Sequence, residues 1–327
     1  MQTTTAPALA ASGASVRNLP VNLFGSVMGI SGLALAWRGA APLFGASPAI
    51  ANGIGILSLL VFAVLALGYG AKWLRFPHAV QAEFSHPVAG NFFGTIAIAI
   101  LLLSAVLGAW SPALQTLVWT LGSLITLALA LVVVSRVMQG NMAGANVVPA
   151  WLIPGVASLD IAVTGGAMPQ AWAHELNLLA LGIGSAVAIV FYVMIFSRLV
   201  HGEPLPAAML PSLMVMIAPF EVGFLAYVNV TQHVDMFSAM LFYFGLFMFV
   251  LVSLRVFRAG VPFGPAWWAI SFPIAALVNA AIKYAAFRAS GPLLLLAGAL
   301  LVFLSVAIAV LLLRTVHSLY TGKLLAG

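Results

Sequence analysis

Ten apolar runs of about 20 residues each follow one another through the chain, with only short clusters of charged or turn-forming residues between them. A helix of about 20 apolar residues crosses a bilayer core about 30 Å thick. The runs at 21–37, 49–71, 88–108, 112–135, 147–165, 174–200, 208–228, 235–256, 265–286 and 291–316 therefore predict ten transmembrane helices, spans 1 to 10. Composition leaves little else open: 64% of the residues are hydrophobic and 6% charged, where soluble domains carry about a quarter charged residues. The expectation is an all-α integral membrane protein. Residues 1–20 read as a short disordered cytoplasmic tail, 21–316 as one ten-helix transmembrane domain and 317–327 as a short cytoplasmic tail.

Twelve Lys and Arg against six acids give a net charge of +6. The basic residues stand singly at span ends, so they mark topology and do not form a nucleic-acid surface. With the N-terminus inside, the inner segments hold nine of them (Arg17, Lys72, Arg75, Arg136, Arg198, Arg255, Arg258, Arg314 and Lys323), and the outer segments hold three (Arg38, Lys283 and Arg288). Both termini are thus expected in the cytoplasm, in a bacterial inner membrane. The longest inner loop, "KWLRFPHAVQAEFSHPV", mixes aromatics with charges and suits the headgroup layer. The chain has no cysteine, which excludes disulfides and thiolate metal sites.

Helix breakers are unevenly shared. Spans 5, 7 and 9 carry Pro154, Pro219 and Pro273 inside their apolar runs, and spans 1 and 3 carry glycines (Gly25, Gly29, Gly32, Gly90, Gly94). The even spans have no interior proline. The odd spans also hold much of the polarity, including Ser26, Ser271, Asn279 and Glu221. A proline inside a helix frees a carbonyl, and lipid offers it no partner, so such breaks belong where backbone is buried in protein or lines an aqueous cavity. The alternation predicts five helical hairpins, with kinked odd helices forming an inner ring around a pathway and smooth even helices outside.

Four stretches, "NLFGSVMGISGLALAWR", "EFSHPVAGNFFGT", "APFEVGFLAYV" and "WWAISFPIAAL", occur in the order found in one family. Through them the chain resembles the tellurite-resistance/dicarboxylate transporter family, which includes bacterial TehA and the plant guard-cell slow anion channels, from about residue 20 to residue 320. The resemblance implies ten helices as five hairpins, a central pore in each subunit lined by the odd helices, and a homotrimer. It also implies a pore plugged by a phenylalanine of the ninth helix, which here is Phe272, beside Pro273.

Glu221 is the anomaly. A charge in the middle of a membrane helix costs about 2.5–3.5 kcal/mol on insertion scales and faces the protein interior. In an anion pathway it must be protonated or paired, or else the permeant species is not a simple anion. Lys283 is the expected partner, at a similar depth on span 9.

The histidines, His78, His86, His174, His201, His233 and His317, fall in loops or at span ends, which argues against a haem core. Asp160 and Asp235 are expected near the outer surface and do not form an intramembrane protease pair. No phosphate-binding loop is present, and neither a cofactor, a metal nor an enzymatic activity is expected. Two readings remain. One is a gated passive channel for small inorganic anions such as chloride or nitrate, with Phe272 as gate. The other is a proton-coupled transporter of oxyanions or dicarboxylates that uses Glu221.

Overall fold

The computed structural model describes residues 15–140, 143–258 and 260–326, and among these the chain is helical with no strand. Most of the tail expected over 1–20 lies outside the described residues. Its last part is held: the Ser15 backbone N–H and the Asn18 side-chain amide both donate to the Leu325 carbonyl, at 3.2 and 3.1 Å. This joins the two ends of the described chain.

Eleven α-helices are present among the described residues: α1 (Phe24–Phe44), α2 (Pro48–Arg75), α3 (Pro77–Ser85), α4 (Gly94–Leu107), α5 (Pro112–Met138), α6 (Leu152–Gly165), α7 (Ala171–His201), α8 (Ala218–Thr231), α9 (Met236–Val256), α10 (Ser271–Arg288) and α11 (Gly291–Tyr320). The short α3 occupies the charged inner loop. α11 runs past 316, where the C-terminal tail was expected to begin. Among the described residues nine segments are long and apolar enough to cross a membrane, and the run expected at 147–165 forms the shorter apolar helix Pro149–Gly165.

α2, α5, α7, α9 and α11 are uninterrupted, and several are cut off cleanly at their starts. Ser47 and Ser111 cap α2 and α5 ahead of a first-turn proline, and Asp235 forms a capping box with Ser238 on α9. Basic residues close these helices, for example Arg136 in α5 and Arg255 in α9, where the helix dipole favours them.

The other five spans begin differently. Each opens as a 3₁₀ segment (Val21–Leu23, Ala89–Phe93, Pro149–Trp151, Ala207–Ile217 and Pro265–Ile270) and then changes to α-helix as α1, α4, α6, α8 and α10. Pro154, Pro219 and Pro273 are therefore not kinks within an α-helix. Each sits in the first turn after the change of winding, where a missing N–H costs least. A 3₁₀ segment rises about 2.0 Å per residue against about 1.5 Å. This brings the 17-residue Pro149–Gly165 helix to about 27 Å, close to the thickness of a hydrocarbon core.

α1 packs against α4 and α10, α4 against α6, α6 against α8, and α8 against α10, which closes a circuit of five helices. α2, α5, α7, α9 and α11 lie respectively against α1, α4, α6, α8 and α10. Burial follows the same division. The apolar windows of the four long segments in the circuit are 56–78% buried, and those of the five uninterrupted helices are 17–33% buried.

The glycines of span 1 are not breaks either. A Cβ on Gly32 would stand 2.6 Å from that of Ala275, so glycine is what lets α1 reach α10. Gly94 plays the same part for α4 against α6, where an added Cβ would meet the Pro154 backbone nitrogen at 3.2 Å.

Candidate anion pathway

Two cavities lie within the circuit, and all five of its spans contribute to the wall of each. The first, at the N-terminal ends of these spans, measures about 30 Å³ and is apolar, with Met28, Ile98, Val156 and Val215 on its wall. The second, towards their C-terminal ends, measures about 340 Å³. Its polar lining comes from Asp160 and Thr164 on α6, Asn229 on α8, and Asn279 and Lys283 on α10. Phe272, in the first turn of α10, is on the wall of both, and its side chain is 8% exposed.

The polar groups of the larger cavity are tied to backbone. Asn279 donates to the carbonyls of Gly32 (3.0 Å) and Ala275 (2.8 Å), joining α10 to α1. Asn229 donates to Val163 O on α6 at 2.6 Å and receives a hydrogen bond from the Lys283 ammonium. That chain links α6, α8 and α10 and holds the lysine at the wall. Arg38, near the end of α1, donates to the carbonyls of Ala105 (2.9 Å) and Val106 (3.2 Å) at the end of α4.

The expected pairing of Glu221 with Lys283 does not form. Glu221 is fully buried, neither carboxylate oxygen has a hydrogen-bond partner among the described residues, and its side chain abuts Gly245 on α9. The reason is helical phase. Val222, Leu225 and Asn229 face the large cavity, and one residue earlier turns a side chain by about 100°, towards the outer helix. Ser271 and Ser26 also lie off the cavity walls. Ser271 donates to Trp268 O (2.7 Å) and Gly25 O (3.2 Å), and Ser26 donates to Leu23 O (2.6 Å). Lys283 and Asn279 do line the cavity.

Asp160 adds a residue that was not expected on the pathway. It lies within α6, 1% exposed and on the cavity wall. The available signal was spacing, since Val156, Asp160, Val163 and Thr164 share the helix face that lines the two cavities.

These features define a class: a multi-pass, all-helical membrane protein with cavities along the axis of a single chain. Within it, the chain belongs to the voltage-dependent anion channel (SLAC1) family, whose model matches residues 18–316. It is 28% identical to the tellurite resistance protein TehA homolog of Haemophilus influenzae, over 93% of this chain and 92% of that one. It is 26% identical to an uncharacterized transporter of Methanocaldococcus jannaschii, over 95% and 96%. Against the guard cell S-type anion channel SLAC1 of Arabidopsis thaliana the identity is 26%, over 81% of this chain and 50% of the relative. The chain thus spans about half the length of that plant relative. At the family level it is an anion channel or transporter of the membrane, a family of transport proteins and not of enzymes.

Proposed function

We propose that the chain is a gated passive channel for small monovalent anions such as chloride and nitrate. Ten spans form five hairpins, the circuit α1, α4, α6, α8 and α10 lines the pore, and Phe272 closes it. The observation that carries this reading is that Phe272 borders both cavities, so one side chain stands between an apolar compartment and a polar one. The apolar compartment has room for only one or two waters. An anion entering it would shed its hydration against hydrocarbon, which closes a pore without a charged barrier. The subunit is proposed to assemble as a homotrimer, with both termini cytoplasmic in a bacterial inner membrane, in keeping with the distribution of Lys and Arg.

Current across a voltage-clamped membrane tests the reading. Phe272→Ala is expected to pass a chloride current at least tenfold above wild type, with a reversal potential that follows the chloride gradient and ignores the proton gradient. Silence of both proteins, or a reversal potential that moves with pH, would sink it. Proton-coupled transport through Glu221 has less support, because that carboxylate lies off both cavity walls.

A further inference from the structure

A groove of about 600 Å³ opens between α7 and α9, where both helices lie against the span that becomes α8. Its floor is the 3₁₀ opening of that span, with Leu213 and Met216, and its sides are Phe196 of α7 and Met248 and Leu251 of α9. Phe196 and Leu251 are exposed, so the groove faces the bilayer and not the circuit. Two exposed arginines stand at its end, Arg255 in the last turn of α9 and Arg258 just beyond it. Met248 is the lining residue of α9 farthest from them, and there the Tyr192 hydroxyl bridges α7 to α9 by donating to its sulfur at 3.6 Å. From Met248 to Val256 the helix rises about 12 Å, against about 15 Å for the hydrocarbon of one leaflet.

Neither arginine has an acidic partner, since the one salt bridge among the described residues joins Lys72 to Glu83. The chain has six acids in all. Glu83 is taken by Lys72, Asp160 and Glu221 are buried, and Glu175 and Asp235 lie at the starts of α7 and α9, at the opposite end of the bundle. Only Glu203, in the loop after α7, is at the arginines' end, and it pairs with neither. A second copy of the chain seated here would therefore bring almost no negative charge to the groove. A phospholipid brings a phosphate at headgroup depth with hydrocarbon beneath it, and a guanidinium matches phosphate oxygens with two parallel N–H donors. Two cations without an acid favour a headgroup of net negative charge over a zwitterionic one, whose cationic group would meet like charge. We infer that this groove is a binding site for an anionic phospholipid of the leaflet at that end, with its phosphate on Arg255 and Arg258 and an acyl chain against Met216, Met248 and Leu251. The site stands outside the circuit and needs neither the gate nor the pathway.

Native mass spectrometry of the purified full chain, titrated with phosphatidylglycerol or with phosphatidylcholine of the same acyl chains, tests this. A basic residue beside an anionic headgroup is worth about fivefold, so wild type is expected to hold phosphatidylglycerol roughly tenfold or more tightly than phosphatidylcholine. The double variant Arg255→Gln with Arg258→Gln is expected to bring the ratio close to one. Arg75→Gln, which removes an exposed basic residue at the end of α2 outside the groove, is expected to keep it. Equal binding of the two lipids by wild type overturns the inference, as does a preference that survives loss of both arginines or falls as far with Arg75→Gln. So does a double variant that passes from an oligomer to a single chain in the same spectra, since that outcome assigns the face to a second copy.

Discussion

Two sets of acidic side chains in this protein are treated in opposite ways. Where α2, α3 and the start of the first span meet, Glu83 accepts from the Val21 backbone N–H (2.8 Å), the Tyr69 hydroxyl (2.8 Å) and the Lys72 ammonium (2.5 Å). Lys72 also donates to Leu19 O at 2.8 Å, and Arg136 donates to Phe84 O at 2.9 Å while lying over the Phe84 ring. Inside the bundle, Asp160 and Glu221 receive nothing from the described residues. Both stand inside a span, where a polar group without a partner is costly, so the two sets differ in what they contribute. A saturated carboxylate staples backbone, and a buried unsaturated one subtracts from stability.

The largest way to break this contrast is at the staple. Glu83→Ala leaves the buried Lys72 without its counter-charge, the one salt bridge among the described residues. Loss of one partner of such a pair costs about 3–5 kcal/mol, so the melting temperature in detergent is expected to fall by many degrees. A change within error would mean that α3 is not held by this acid.

The second test concerns Glu221, which has neither partner nor cavity. Glu221→Leu removes an unsatisfied polar group and is expected to stabilise the fold by about 1–3 kcal/mol, with anion current in the Phe272→Ala background unchanged. A loss of stability would show that the acid has a partner after all.

The smallest effect is expected at Asp235, a satisfied acid that caps α9 just ahead of its first residue. The Ser238 backbone N–H, followed by the Tyr227 hydroxyl, holds its carboxyl below the usual carboxylate range. A depressed folded-state pKa adds stability above the unfolded value of about 3.9, and that stability disappears as pH falls through the folded value. Melting curves should therefore show a slight acid-side loss that Asp235→Ala abolishes. An unchanged acid limb in the variant would assign that loss to another group.

Much of this architecture was legible from the chain alone. Apolar runs locate helices because lipid demands that backbone be satisfied within each one, and polar residues and prolines collected in alternate spans because only the inner circuit can shelter them. What stayed hidden was a matter of phase and winding. Glu221 and Val222 are neighbours in sequence yet face different helices, and only the packing of α8 decides which of them meets the cavity. Asp160 was judged by depth alone, whereas the face it turns to its neighbours is set by spacing from Val156. The 3₁₀ openings leave no composition of their own. Proline marks three of them, but Val21–Leu23 and Ala89–Phe93 contain none.

That change of winding has a mechanical consequence. An α-helix advances about 100° and 1.5 Å per residue and a 3₁₀ helix about 120° and 2.0 Å. Each residue exchanged between the two windings therefore turns everything beyond it by about 20° and moves it by about 0.5 Å. Phe272 stands directly after such a boundary, at Ile270–Ser271. α10 is one wall of the circuit, and a shift of its boundary by a few residues would turn Phe272 about the helix axis without any hinge.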